Sequence, residues 1–311
     1  MRLTDDLYGN YELEPVLQEL IETKEMQRLK RVHQGGATIF ANPKWNTTRF
    51  EHSIGTMLCM KMLGQPLDVQ IHALLHDVSH TAFSHVVDHV YRLEEENYHE
   101  LIFKNLIHQS AIPPILQKYE LDAAPFMKSP LLEIDCPHLS VDRLDYTLRD
   151  MVQYGFIDLL DAHWFLTAVG VVNQQLVIMN MTQAEWFVET FYKQVFDLFL
   201  DERNIWAYGK FTSILSLAQQ LGIITEQDFL LSDDALFQKL CSCEDATLHA
   251  SMIELVAGTS EAYDASVKER YLEPVVLENG QLVISTNHSP FLQALQTEAR
   301  TRYGSYNKVI N

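Results

Sequence analysis

Apolar side chains recur at steps of three and four residues along most of this chain, which is the period of an α-helix with one buried face. The same pattern predicts helices over residues 49–63, 67–77, 84–92, 140–153, 182–221 and 233–258, and another that ends near residue 107. The first such stretch spans residues 13–31, where the face contains Leu13, Val16, Leu17, Leu20, Ile21, Met26 and Leu29. A mainly helical protein is therefore expected.

Short segments that interrupt this pattern predict the loops and the few strands. Two glycines and a proline in residues 34–48 favour a loop, with a short extended piece at residues 37–40. Weak helix formers in residues 79–85 indicate a turn or a kink. Residues 169–180 and 274–285 read as β-hairpins, the second around an Asn-Gly turn. The expected fold class is all-α with one or two small β-hairpins.

Charge and hydropathy restrict the partners of the chain. A formal net charge of -19 over 311 residues argues against binding of a nucleic-acid polymer. No run of about 18 apolar residues is present, and the first residues are polar and acidic, so neither a membrane span nor a signal peptide is expected. We expect a soluble cytoplasmic protein. The basic segment KEMQRLKR, residues 24–31, is compatible with a small anionic ligand or with a solvated helix face.

The stretch HALLHDVSH, residues 72–80, places three histidines and an aspartate among apolar residues. His72, His76 and His80 are four residues apart and would share one face of a continuous helix. Burying such groups is costly unless they are paired. Core hydrogen bonding and a bound metal ion are both compatible with this stretch taken alone.

Two further motifs, one on each side of this stretch, favour a bound metal ion over core hydrogen bonding. RFEHSIGT (residues 49–56), ALLHDVSHTAFSH (residues 73–85) and VDRLDYTLRD (residues 141–150), in this order, resemble the HD-domain metal-dependent phosphohydrolases. Within that superfamily they are most similar to the deoxynucleoside triphosphate triphosphohydrolase branch. The resemblance implies one divalent metal ion per chain, held by His52, His76, Asp77 and Asp142. Imidazole and carboxylate ligands suit Mn, Fe, Ni, Zn or Mg, so the identity of the metal stays open.

The same resemblance assigns catalytic and substrate-binding residues. It implies that His85 protonates the leaving 5′ oxygen, that Asp88 orients His85, and that His80 and His99 face the phosphates. The residues that it places on the substrate are Arg49 and Arg143 for phosphate, Tyr146 and Asp150 for the deoxyribose, and Gln34 for the 3′ hydroxyl.

Departures from the branch concern one turn and an activator site. Ser79 stands where the family usually has glycine. Some members bind an activating nucleotide between subunits, and the matching residues here are Glu22, Gln27 and Lys30, of which Lys30 replaces an arginine. A nucleotide activator and a homo-oligomer are therefore expectations that follow from the resemblance.

The chain is expected to contain an HD-type metal-dependent phosphohydrolase core at residues 1–165. A mainly helical region at residues 166–311 would complete the pocket, form an oligomer interface, or both. The expected activity is hydrolysis of a dNTP to deoxynucleoside and triphosphate. The alternatives are an HD-domain phosphatase acting on another nucleotide such as a 5′-mononucleotide, and a non-catalytic metal- or nucleotide-binding protein. A di-iron oxygenase or a cyclic-dinucleotide phosphodiesterase would need additional bridging ligands.

Overall fold

Helices dominate the computed structural model, which describes residues 2–121, 129–258 and 268–309. The helices of the first half are α1 (Pro15–Ile21), α2 (Lys24–Arg28), α3 (Thr38–Ala41), α4 (Arg49–Met62), α5 (Leu67–Leu75), α6 (Val86–Tyr91), α7 (Tyr98–His108), α8 (Ile112–Lys118) and α9 (Val141–Gln153). They continue with α10 (Leu159–Leu166), α11 (Met181–Gln194), α12 (Glu202–Gln220), α13 (Asp233–Cys241), α14 (Ala246–Ala257), α15 (Ser285–His288) and α16 (Pro290–Val309). The prediction of a mainly helical fold is confirmed. None of the helices in the described ranges has both the length and the apolar character that crossing a bilayer requires.

The strands form two small sheets. An antiparallel hairpin of β1 (Arg2–Asp5) and β2 (Gly9–Glu12) precedes the first helix and was not expected from the pattern. The two predicted hairpins are present as β3 (Val169–Val172) with β4 (Gln175–Ile178), and β5 (Val275–Glu278) with β6 (Gln281–Ile284). Parallel pairing of β4 with β5 joins them into one four-stranded sheet in the order β3-β4-β5-β6.

Several predicted helices are divided into shorter ones, because side chains cap a new helix inside an uninterrupted apolar pattern. Thr23 accepts a hydrogen bond from the backbone N–H of Met26, so residues 13–31 form α1, α2 and a 3-10 turn rather than one helix. Asp201 and Asp245 cap α12 and α14 in the same way and divide the helices predicted over residues 182–221 and 233–258. The extended piece predicted at residues 37–40 is wrong, since α3 lies there.

Three helices carry the residues that converge on one side of the molecule. α4 and α5 pack against each other, and α9 packs against α4. A capping box between Thr48 and Glu51 fixes the start of α4, and Ser140 caps α9 as predicted. The apolar cluster behind these helices extends from Leu7 to Tyr303. A second cluster surrounds α12. The first cluster contains residues from both sides of residue 165. The predicted division of the chain into two regions at this residue stays a prediction.

Candidate metal centre and active site

Three of the four predicted metal ligands, His52, His76 and Asp142, bring ligand atoms within 4.8 Å of one another, and the fourth, Asp77, lies beside them. Asp142 Oδ1, at the start of α9, lies 2.9 Å from His52 Nε2 on α4 and 3.7 Å from His76 Nε2. Asp77 Oδ2 lies 3.7 Å from His52 Nε2. His76 and Asp77 reach the same point although they are adjacent in sequence, because α5 ends at Leu75 and a turn follows. The helix end thus removes the divergence expected of neighbours on a continuous helix.

The hydrogen bonds of the two histidines leave one nitrogen of each facing this point. His52 Nδ1 is 2.8 Å from Asp145 Oδ2, and His76 Nδ1 is 2.8 Å from the carbonyl oxygen of Ala73. The Nε2 atom of His76 is buried and has no hydrogen-bond partner. His52 Nε2 faces the carboxylate of Asp142 at 2.9 Å. An acceptor that holds one ring nitrogen while the other points to the candidate site is the arrangement of a metal-binding histidine. The residues therefore fit a divalent ion.

The electrostatics of the cluster favour a cation. Burial lowers the pKa of His52, but Asp142 and Asp145 outweigh burial and raise it to about 10. Burial raises the pKa of Asp142, yet its bonds to the two histidines bring that pKa well below its usual range. The carboxylates therefore stay ionised and attract positive charge, which protons or a divalent metal ion can supply.

Asp145 and Arg149 on α9 support His52 from behind, and the sequence motifs did not single them out. Arg149 Nε and Nη2 donate to Asp145 at 3.0 and 2.9 Å, and Arg149 Nη1 donates to Asp5 of β1 at 3.0 Å. Gly55 of α4 lies against this pair, and a Cβ atom there would overlap both Asp145 Oδ1 and Arg149 Nη2. Glycine at residue 55 is thus required for the approach of α9 to α4.

Substituting Gly55 with alanine is expected to weaken metal binding without touching a ligand. The added methyl group displaces Asp145, and losing a carboxylate that holds a metal-binding histidine typically costs about 10–100-fold in metal affinity. Crowding should also lower the free energy of unfolding by about 1–3 kcal/mol. Chelator competition and thermal unfolding measure the two effects. G304A is the matched control, because no neighbouring atom lies near the added carbon; equal metal affinity in the two variants would contradict this role of Gly55.

The predicted catalytic histidines form a second group next to the metal centre. The rings of His80 and His99 stack with centroids 3.9 Å apart, and the His85 ring lies edge-on to His80 at 4.9 Å. Ser79 Oγ donates to the carbonyl oxygen of His99 at 2.8 Å, so the serine found in place of the family's glycine fixes this stack. The turn predicted over residues 79–85 is present, with left-handed backbone at Phe83 and Ser84.

Among these three rings, His85 pairs with Asp88, a carboxylate that is not a predicted metal ligand, whereas His80 Nε2 lies 3.2 Å from Oδ1 of the predicted ligand Asp77. His85 Nδ1 lies 3.1 Å from Asp88 Oδ2, while Asp88 Oδ1 accepts a hydrogen bond from the backbone N–H of Tyr98 at 2.8 Å. Burial and the nearby Arg49 charge lower the pKa of His80, and burial and His85 lower that of His99 to about 4. His80 and His99 are therefore neutral near pH 7 and can serve as hydrogen-bonding groups, which leaves His85 as the best-placed proton carrier.

Arg49 and Gln34 lie beside this group of histidines and line the same cavity. Arg49 Nη1 donates to Asp77 Oδ2 at 2.6 Å and its Nε donates to Ser84 Oγ at 2.9 Å. The side-chain oxygen of Gln34 is buried without a hydrogen-bond partner. Arg49 is thus fixed beside a predicted metal ligand, and Gln34 offers a free acceptor.

Arg143, Tyr146 and Asp150 extend along one face of α9. The Arg143 guanidinium donates to the backbone carbonyl oxygens of Ile134 and His138. Burial raises the pKa of Tyr146 to about 12 and that of Asp150 to about 6. Gln194 Nε2 donates to Asp150 Oδ2 at 3.0 Å, whereas Asp150 Oδ1 is buried without a partner. A buried carboxylate oxygen without a donor is a site for a ligand hydroxyl.

A cavity of about 1150 Å³ connects these groups. It exceeds the usual range of roughly 300–1,000 Å³ for small-molecule sites. The predicted residues that line it are Gln34, Arg49, Asp77, His80, His85, His99, Asp142, Arg143, Tyr146 and Asp150. His52, His76 and Asp88 do not line it; His52 and His76 lie behind it as buried metal-centre residues, and Asp88 lies behind His85.

The later part of the chain supplies a wall of this cavity that the motifs did not identify. This wall contains Phe199, Asn204, Tyr208, Lys268 and Arg270. Tyr208 Oη donates to the carbonyl oxygen of Gly35 at 2.9 Å, which ties α12 to the loop that carries Gln34. The segment DERNIWAYGKF, in which Tyr208 lies, was the available signal, but it is too short to identify from one sequence.

The predicted activator residues lie away from this cavity. Gln27 Nε2 donates to the carbonyl oxygen of Ile21 at 2.7 Å, and Lys30 Nζ lies 4.7 Å from the centre of the Phe50 ring. Glu22 is exposed. Arg28 of the basic segment is bound to backbone carbonyls of Val78, His80 and Leu231, so it supports the active-site turn. The activator site and the homo-oligomer stay predictions.

Comparison with known families and proteins places these residues in a wider group. A family model described as HD domain matches residues 49–149. The Bacillus subtilis protein YdhJ is 37% identical over an alignment that covers 100% of this chain and 99% of YdhJ. The metal-dependent phosphohydrolase cns2 of Cordyceps militaris is 40% identical over 51% of this chain and 48% of cns2.

More distant similarities extend the comparison. The deoxynucleoside triphosphate triphosphohydrolase SAMHD1 of Homo sapiens is 34% identical over 38% of this chain and 23% of SAMHD1. The matches to cns2 and to SAMHD1 thus span half or less of those two proteins. A hypothetical protein from Aquifex aeolicus has a crystal structure that covers 97% of this chain and 99% of its own, with a TM-score of 0.69 and 18% identity. That structure has the same fold.

Proposed function

Because this chain belongs to the HD-domain family of metal-dependent phosphohydrolases, we propose that it hydrolyses a deoxynucleoside triphosphate to a deoxynucleoside and triphosphate. The main support for this proposal is that one cavity joins the metal-ligand cluster, the three candidate active-site histidines and the buried acceptors Gln34 and Asp150. Similarity to SAMHD1, although partial, supports the choice of substrate. The cavity also has room for a nucleotide with its phosphates.

We assign one divalent metal ion per chain to His52, His76, Asp77 and Asp142. When bound, the ion supplies Lewis-acid activation of the phosphate and of water. Ligand atoms of Asp77, His80 and His99 also lie within 4.8 Å of one another. We give Asp77 to the single ion and leave His80 and His99 to the phosphates; two metal ions per chain would favour the two-metal alternatives.

One set of residues contacts the phosphates of the proposed substrate, and another set contacts its deoxyribose. Arg49, with the neutral His80 and His99, holds the phosphates through charge-assisted and neutral hydrogen bonds. His85, oriented by Asp88, gives a proton to the 5′ oxygen as the bond from that oxygen to the α-phosphorus breaks. Water supplies the new oxygen on the α-phosphorus. Tyr146, Asp150 and Gln34 hold the deoxyribose, and Arg143 lies beside the phosphates.

Incubation of the metal-loaded protein with each of the four dNTPs, followed by identification of the products, tests this proposal. We expect equimolar deoxynucleoside and triphosphate. Release of inorganic phosphate from a 5′-mononucleotide, with dNTPs left intact, would establish the phosphatase alternative instead. Absence of turnover on every nucleotide, with metal bound, would favour a non-catalytic binding protein.

Replacing Asp150 with asparagine is expected to stabilise the protein at neutral pH and to weaken the binding of the substrate. The native pKa of about 6 lies above the unfolded value of about 3.9, so the stability that Asp150 contributes falls as pH rises from about 4 through 6. D150N removes this dependence and should gain up to about 3 kcal/mol at pH 7.5, with almost no gain at pH 4.

Urea unfolding of wild type and D150N at both pH values measures the difference. The KM for the dNTP should rise in D150N, because an amide replaces the carboxylate that accepts from the sugar hydroxyl. D161N, which removes an exposed carboxylate on α10, controls for the altered charge. A gain in D150N that is the same at pH 4 and pH 7.5 would contradict the role given to burial of Asp150.

A further inference from the structure

Two cations and one carboxylate face each other on the outer wall of the cavity. Lys268 Nζ lies 2.8 Å from Glu96 Oε2, and Arg270 Nη2 lies 3.7 Å from the same oxygen. All three residues line the cavity together with His85. None of them belongs to the three HD motifs, and Lys268 and Arg270 lie more than 100 residues beyond the last motif.

The backbone at Arg270 is fixed by a buried tyrosine rather than by the cationic side chains. Tyr303 Oη accepts from the backbone N–H of Arg270 and donates to its carbonyl oxygen, both at 2.9 Å. Tyr303 belongs to α16, and its side chain is fully buried in the core. The Arg270 guanidinium lies over the Phe199 ring, 5.6 Å from its centre. The backbone at Arg270 therefore stays anchored when either cationic side chain is removed, whereas R270A also removes the hydrogen bond from Arg270 Nη1 to the carbonyl oxygen of Lys268, at 3.3 Å.

Glu96 places a carboxylate in the wall of a cavity that is proposed to accept phosphates. A carboxylate there repels an anionic substrate, and its backbone has a left-handed φ of 55°. Burial raises the pKa of Glu96, but His85, Lys268 and Arg270 outweigh burial and lower it to about 2. Glu96 is thus an anion held among three basic groups, which is the position that a phosphate group of a bound nucleotide would occupy.

We propose that Lys268 and Arg270 form an outer phosphate clamp of the cavity, and that Glu96 occupies this clamp until a polyphosphate displaces it. The proposal rests on the proposed function in taking the substrate to carry a chain of phosphates. A monophosphate held at the metal centre has no further phosphate group to place at Lys268 and Arg270. The clamp therefore favours triphosphates over monophosphates, and Glu96 weakens the binding of anions that cannot displace it.

Binding of inorganic tripolyphosphate to the metal-loaded full chain, measured by titration calorimetry, tests the clamp without relying on turnover. Wild type should bind tripolyphosphate more tightly than orthophosphate. K268A and R270A should each weaken tripolyphosphate binding by about tenfold and leave orthophosphate unchanged, since each removes one charge-assisted contact. E96Q should bind tripolyphosphate several-fold more tightly, because the competing anion is lost.

K118A is the matched control, since Lys118 pairs with Glu19 at 2.7 Å on the surface far outside the cavity lining. Tripolyphosphate affinity that is unchanged in the K268A/R270A double variant would overturn the clamp. Weaker binding in E96Q, as in K268A, would also overturn it and would make the Glu96 bridge structural. R270K provides a charge-retaining variant should R270A not fold; it should keep most of the affinity.

The outcomes separate the clamp from the proposed activity. If tripolyphosphate binds through Lys268 and Arg270 but no dNTP yields triphosphate, the proposed function fails and the clamp stands. If triphosphate is released from dNTPs and the KM is the same in wild type and the double variant, the clamp fails and the proposed function stands.

Discussion

Replacing Asp142 with alanine is expected to abolish metal retention and hydrolysis together. Asp142 Oδ1 faces both candidate histidine ligands, at 2.9 Å from His52 Nε2 and 3.7 Å from His76 Nε2. Without it, two buried imidazoles share a site with the single carboxylate of Asp77. Loss of the metal's stabilisation of the transition state, which is worth several kcal/mol, should lower kcat/KM by at least about 10³-fold.

Metal content by mass spectrometry and turnover of a dNTP measure the two losses in one preparation. D135A is the matched control, because Asp135 lines the cavity without contacting the candidate ligands. We expect about one metal ion per chain in wild type and in D135A, and almost none in D142A. A D142A protein that hydrolyses the dNTP at the wild-type rate with no bound metal would contradict the assignment of the metal centre.

Replacing His85 with alanine should lower kcat by about 10²–10⁴-fold while the metal stays bound, because a positioned proton donor contributes that much. The carboxylate partner at 3.1 Å and the place of the ring on the cavity wall make His85 the donor to the 5′ oxygen. D88N should cause a smaller loss, because Asp88 acts through the orientation of His85. The exposed His108 provides the control variant H108A.

A substrate whose leaving group needs no proton distinguishes proton donation from structural damage. Against the 4-nitrophenyl ester of triphosphate, H85A should retain almost all wild-type activity, since the phenolate leaves without protonation. Equal losses on this ester and on a dNTP would show that His85 serves another purpose, such as holding the stack of His80 and His99.

Local features of the site could be predicted from the sequence because each depends on neighbouring residues. The Ser140 cap follows from residues within one helical turn, whereas the candidate ligands were taken from the resemblance of the three motifs to a family. The helical fold follows from the apolar period in the same way. The helix boundaries at Thr23, Asp201 and Asp245 were missed, because apolar periodicity continues through a capped break.

Features that depend on distant pairing could not be predicted from one sequence. Parallel pairing of β4 with β5 joins hairpins about 100 residues apart, and neither strand specifies the other by its own pattern. Likewise, the contact of Arg149 with both Asp145 and Asp5 depends on where the first hairpin packs. Lys268 and Arg270 reach the cavity only because Tyr303 anchors their segment, and neither residue stands in a recognisable motif.

Hydrolysis in heavy-oxygen water is the most direct test of the central claim that this metal centre cleaves the bond between the α-phosphorus and the 5′ oxygen. Mass analysis of both products shows which one carries the label. The geometry, with His85 donating a proton to a departing 5′ oxygen, predicts label in the triphosphate and none in the deoxynucleoside. Label in inorganic phosphate released from the chain end, or in the deoxynucleoside, would contradict it.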